Sequence, residues 1–200
     1  MMKRLSIQHL CRWVCISVLL AFSPLAGAQP ANDNPAEEPD TLILSDTLNY
    51  DDIKKESTFT GNVVMTRGQM TLNSDTLIMR EDDEGFQYGT ATANDGERVF
   101  IRQENPEKFE VIEARGLRAE YNGKTEEIEM IGQAVITKYV CGKRLDNIRG
   151  ERVIYNQATS TYNASGGPNS AAAGGRVRSL ATPGAKAEAA AAECQQNQSR

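Results

Sequence analysis

The chain has 200 residues, with 22 lysines and arginines against 27 aspartates and glutamates, a formal charge of −5 and one histidine, His9. That length suits one ordinary domain, and the acidic balance argues against nucleic acid as a partner. The chain beyond His9 has no histidine general base, no Ser-His-Asp triad and no histidine metal ligand.

The first segment reads as a secretory leader. Lys3, Arg4 and Arg12 precede the apolar run Trp13 to Phe22, then Pro24 and the triplet Ala26-Gly27-Ala28. This is the basic, apolar, small-x-small order of a signal peptide, and the run is shorter than the roughly 18 residues that span a bilayer. Cleavage is expected after Ala28, with no cysteine there for a lipid anchor. Three basic and no acidic residues leave with the leader, so the mature chain carries 19 against 27, a formal charge of −8. The expected compartment is the periplasm.

Residues 29–40 are polar and contain Pro30, Pro35 and Pro39, which reads as a flexible linker. Short strands follow over 41–180, where Thr, Val, Ile, Tyr and Phe alternate with polar residues. Thr41 to Leu44, Thr58 to Thr66 and Glu127 to Ile131 are examples. The last alternates charged and apolar side chains, as a strand with one wet and one dry face does. Arg67-Gly68, Asp95-Gly96, Asn122-Gly123 and Cys141-Gly142 mark turns. Residues 181–200 are rich in Ala, Gln and Glu without an apolar stripe and are expected to be a disordered tail.

An internal repeat refines the all-β reading. A constant offset aligns Tyr50 with Tyr121, Gly61 with Gly132, Val64 with Val135, Thr66 with Thr137 and Arg67 with Lys138. A partial third copy runs from Gly150 through Tyr155 to Gly166, and Ser74 to Met79 echoes the opening element. Repeated strand-turn-strand units stack because none can bury its apolar face alone. A glycine at the same station in each copy predicts a bulge or a close backbone approach.

These residues resemble a known family. Ser45-Asp46 with Tyr50-Asp51, Thr60-Gly61-Asn62-Val63, Leu72 to Asp75, Ile131-Gly132-Gln133-Ala134 and Asn147 to Tyr155 are similar, in order and spacing, to the OstA-like, or LptA, family of periplasmic lipopolysaccharide export proteins. The resemblance covers about Thr41 to Leu180. It implies an elongated, open antiparallel β-jelly roll with an apolar interior. It implies lipopolysaccharide, through its lipid A, as the cargo, head-to-tail stacking, and partners like the inner-membrane component LptC and the outer-membrane component LptD. No cofactor, metal or catalytic residue is expected. By position it implies a lipid-binding groove at Thr41, Ile43, Phe100 and Tyr121, with Gly123 where relatives carry an aliphatic residue.

Other residues have blander readings. Arg67, Lys138, Lys143 and Arg144 are solvated turn charges or contacts for lipid phosphates. Asp51-Asp52 and the run Glu81 to Gly85 have turn composition, and lack the spacing of a calcium loop or a glycosidase pair. Cys141 and Cys194, the cysteines left beyond the leader, either bond to each other, stay free or pair between chains. Two other functions stay open: a structural β-protein or chaperone that binds partners by strand addition, and a carboxylate hydrolase.

Overall fold

The computed structural model describes residues 39–198. The expected leader, its cleavage point and nearly all of the linker lie outside the described residues.

Twelve antiparallel strands form one hydrogen-bonded sheet. They are β1 (Thr41–Leu44), β2 (Thr47–Asp51), β3 (Glu56–Arg67), β4 (Met70–Glu81), β5 (Gln87–Thr92), β6 (Val99–Asn105), β7 (Glu110–Gly116), β8 (Arg118–Asn122), β9 (Glu127–Val140), β10 (Lys143–Asn156), β11 (Thr161–Ser165) and β12 (Arg178–Leu180). Among the described residues one α-helix, α1 (Gly184–Gln198), follows the strands.

Four long strands organise the rest. One half of β3, β4, β9 and β10 pairs with β2, β5, β8 and β11, and the other half pairs with β1, β6, β7 and β12. Each long strand thus belongs to two half-sheets and changes from one to the other near its middle. The repeated glycines sit at that change. Gly61 and Asn62 both have positive φ, and the β3–β4 register shifts between Thr60 and Val63. Gly132 and Gln133 repeat the same pair of left-handed residues on β9. Asp46 donates its N–H to the Gly61 carbonyl at 2.9 Å, and Leu117, its equivalent at the repeat offset, donates to the Gly132 carbonyl at 2.9 Å. The expected bulge is therefore real, and each copy latches its bulge with the residue preceding the short strand.

Alternation selects the inward face. Registers align side chains across the strands in continuous rows. In one half-sheet the row runs Ile43, Met65, Leu72, Ile101, Ala114, Ile136, Ile148. In the other it runs Phe59, Leu77, Ala91, Ala119, Met130, Val153, Ala164. All fourteen belong to one apolar cluster, so the half-sheets face each other across a shared core. Met130 and Val153 have no solvent exposure. Truncating either to alanine removes buried methyl or methylene groups, at a cost of roughly 1–5 kcal/mol.

Two expectations are corrected. The segment expected to be a disordered tail is helical from Gly184. Alanine has the highest helix propensity, and three ties hold the segment. Cys194 is bonded to Cys141 with Cα atoms 5.7 Å apart, Ala190 is buried, and Lys143 pairs with Glu193. The expected last strand, Gly175 to Leu180, shrinks to β12 because Gly174 and Gly175 take left-handed conformations.

Candidate functional site

Between the half-sheets lies a cavity of about 470 Å³. Its floor is apolar: Met65, Leu72 and Ile101 come from one half-sheet, and Leu77, Ala91 and Ala119 from the other. Two further rows flank it, and their first four members form its lips. One aligns Thr41, Arg67, Met70, Gln103, Ile112 and Lys138. The other aligns Met79, Gly89, Tyr121, Ile128, Tyr155 and Tyr162.

The rows differ in chemistry. Lys138 pairs with Glu110 at 2.7 Å, both partly buried. Further along the opposite row, beyond the cavity lining, Tyr155 and Tyr162 stack with ring centroids 4.7 Å apart. Partial desolvation pushes the Tyr162 hydroxyl above the ordinary tyrosine range, with the neighbouring Tyr155 adding to it, although the residue stays 38% exposed. Gly89 stands opposite Tyr121. A Cβ there would lie 3.2 Å from Met79 Sδ and 3.6 Å from Tyr121 Cβ. Its missing side chain leaves space in the cavity.

The four expected groove residues are not all brought together. Thr41 and Tyr121 line the cavity, and Ile43 packs against the core beside them. Phe100 is a correction. Its neighbours Val99 and Ile101 are both buried in the core, so by strand alternation Phe100 points to the opposite face. There the Arg115 guanidinium lies 4.4 Å from its ring centroid. Gly123 lines the cavity and donates its N–H to the Gln87 carbonyl at 2.8 Å. The sequence reading missed Met65, Met70 and Met79. Their alternation in β3 and β4 was the available signal, and an unbranched thioether suits a surface that must adapt to a flexible ligand.

The acidic turns have structural work. Asp51 Oδ1 accepts the N–H groups of Ile53 and Lys54, and the Lys54 N–H above all holds the carboxyl below its ordinary range. Asp82 Oδ1 accepts from Glu84 and Phe86, and its Oδ2 from the Tyr88 hydroxyl at 2.8 Å.

The profile of the LptA/(LptD N-terminal domain) LPS transport protein family matches residues 42–161, more than half of the chain. The chain belongs to this family. The match spans β1 to the start of β11, and thus every strand that lines the cavity. No curated protein matches the chain. Among solved structures, the crystal structure of LptH, the LptA homologous periplasmic component of the conserved lipopolysaccharide transport device from Pseudomonas aeruginosa, is similar. Its TM-score is 0.60 at 22% identity, over 72% of this chain and 96% of that chain. At that identity the likeness carries the fold, the LptA-type β-jelly roll.

Proposed function

We propose that this LptA-family protein is a periplasmic lipopolysaccharide carrier. In this reading the apolar cavity shields acyl chains while the sugars remain at the open lips, and the lipid passes from the inner to the outer membrane. The observation that carries the reading is an inward face that is aliphatic and methionine-rich, yet leaves a cavity between two half-sheets. Burying acyl chains is worth about 0.8 kcal/mol per methylene, so a lipid of this kind needs such a lining to cross an aqueous space. The leader, cleaved after Ala28, delivers the protein to that space.

The two ends of the sheet support a bridging role. Leu42, Leu44, Leu48 and Tyr50 are large apolar residues exposed on β1 and β2, and Tyr162 and Leu180 are exposed on β11 and β12. Open sheet edges flanked by exposed apolar side chains suit pairing with another strand. Unlike edges meeting head to tail form open filaments. LptC-like and LptD-like domains would add at the two ends in the same manner, and the cavity would continue across each junction. The same edges favour the second reading, a chaperone or structural protein that binds by strand addition; that reading gives the cavity no task.

Photo-crosslinking separates the two. Probes at Ile43 and Tyr121 are expected to capture lipopolysaccharide, and a probe at Glu127, which faces away from the core, is not. Lipid A should appear by mass spectrometry in protein isolated from periplasm, with an intact mass starting at Gln29. Equal labelling at all three positions would sink the carrier reading.

A further inference from the structure

A second concave site lies on the outer face of the sheet, away from the cavity. It is a cleft of about 530 Å³, and Arg98, Arg115 and Arg149 line it together with Gln133, Val135 and the segment Pro168 to Ala171. The strand registers create this grouping. Arg115 pairs with Val135, and Val135 pairs with Arg149. The two arginines therefore sit on one face, two strands apart, at about 10 Å between backbones by ordinary strand spacing. Gln133 precedes Val135 by two positions on the same face, and the Arg98 guanidinium donates to its Oε1.

Each arginine is positioned by a group that leaves positive charge to spare. Arg149 donates its Nε–H to Asn147 Oδ1 at 3.0 Å, and that asparagine is itself buried. Arg115 stacks on Phe100 and reaches Glu113 at 3.1 Å, but Arg102 shares the same carboxylate at 3.0 Å. Among the described residues no carboxylate forms an ion pair with Arg98 or Arg149. The far wall is held in place as well. Asn169 accepts the Gln133 N–H at 2.7 Å, and Ala171 donates to the Gly150 carbonyl at 3.0 Å. Three arginines lining one cleft, with a single carboxylate, Glu151, at its far wall on the Asn169 N–H, are a local feature at odds with a chain of negative net charge.

We propose that this cleft binds a phosphoryl group, through Arg98, Arg115 and Arg149. The planar fork of arginine matches phosphate oxygens bidentately and keeps its charge at every physiological pH. The cleft is large for a bare ion and falls in the range of small-molecule sites, so the class that fits is a phosphorylated sugar. Two sources share that chemistry, a free sugar phosphate and the phosphorylated sugar of a lipid headgroup. The site does not rest on the carrier reading, because it lies on the opposite face of the sheet from the acyl cavity.

Titration calorimetry of the full mature protein tests it, with inorganic phosphate and with glucosamine 1-phosphate as probes. Saturable binding is expected, stronger for the sugar phosphate and weakened by salt. The variant Arg98→Gln/Arg149→Gln should lose about tenfold or more in affinity. Arg80→Gln/Lys124→Gln removes the same charge from the far end of the sheet, where Arg80 pairs with Tyr88 and Lys124 follows Asn122, and should bind as the parent does. Circular dichroism confirms that both variants are folded. Adding a headgroup-bearing lipid in detergent assigns the source: displacement of the sugar phosphate points to the headgroup, and its failure to displace points to a free ligand. Equal losses in both variants, or no saturable binding in the parent, would overturn the proposal. Labelling at Tyr121 in the same variants reports the acyl cavity separately, so failure of one site is distinguishable from failure of the other.

Discussion

The carboxylate of Asp46 occupies the space that a side chain on Gly61 would need. A Cβ at Gly61 would fall 2.9 Å from Asp46 Cβ and closer still to its Oδ2. Asp46 also accepts the Asn62 side-chain amide at 2.9 Å, so the bulge and the entry to β2 close on each other. Gly61→Ala combines this clash with a φ of +83°. It is expected to destabilise the fold by about 2–4 kcal/mol. Gly96→Ala, with φ +86° and nothing within 4 Å of the new Cβ, should cost only about 1 kcal/mol. Urea denaturation of both variants checks the difference, and equal losses would show that the latch contributes nothing.

Gly89 offers a way to fill the cavity without breaking the sheet. Its φ is not in the left-handed region, and the nearest atom to a new Cβ is the mobile Met79 Sδ. Gly89→Leu should therefore change stability by less than about 1 kcal/mol, as strand propensity offsets crowding. It should reduce lipopolysaccharide capture at Tyr121 severalfold. Undiminished capture in a folded variant would place the lipid elsewhere.

The Cys141–Cys194 bond closes a 53-residue separation, which loop entropy values at about 4 kcal/mol when both ends unfold together. Helix α1 has few other ties, and an isolated helix of its length is marginal in water. Reduction, or Cys194→Ser, is thus expected to release α1 first. Amides of 184–198 should lose protection in hydrogen exchange, while the β-sheet midpoint moves by less than about 1 kcal/mol. A drop by the full loop-entropy value would make the helix part of the cooperative unit.

How far the sequence foretold this structure depends on which local signals were unique. The glycine repeat was legible because only a bulge or a close approach calls for glycine at the same station twice. Phe100 was not, because Val99, Phe100 and Ile101 are three apolar residues in a row and either parity gives an apolar inner face. Register with Leu72 and Ala114 breaks the tie. Helix α1 has no apolar stripe to betray it, and its anchor is a covalent bond to a hairpin 53 positions away. The outer arginine cleft gathers Arg98, Arg115 and Arg149 from three separate segments, which no local window can assemble.

Glu129 predicts a pH dependence. Its carboxyl lies above the ordinary value of 4.5, raised by burial first and then by Glu120 and Glu127, against the opposing pull of Arg152. A raised carboxyl disfavours the charged form in the fold. The stability it contributes is present below the unfolded-state value and is lost as pH rises through the folded value. Glu129→Gln should therefore gain a few tenths of a kcal/mol at neutral pH, an increment discounted for its partly exposed site, and gain nothing at about pH 4. A pH series of denaturation midpoints checks the sign; a loss at neutral pH would mean that the 2.8 Å contact with Arg152 outweighs the burial.

Assembly has its own variant. Leu42 is 60% exposed on edge strand β1, and a lysine there discourages pairing without touching the core. Leu42→Lys should convert concentration-dependent oligomers of the mature protein into monomers in light scattering. Filaments that persist would move the junction away from β1.

The strand order also bears on how the chain reaches its fold. Among the described residues every pairing joins segments close in sequence, and the most distant register partners, Tyr88 and Asn122, are 34 positions apart. No strand near the beginning waits for one near the end. A polypeptide emerging from a membrane pore amino-terminus first can zip each new strand onto one already placed, with little loop-closure entropy at any step. The bond between Cys141 and Cys194 is the exception in span, and Cys194 follows every described strand in the chain. Covalent closure therefore comes after the sheet is complete.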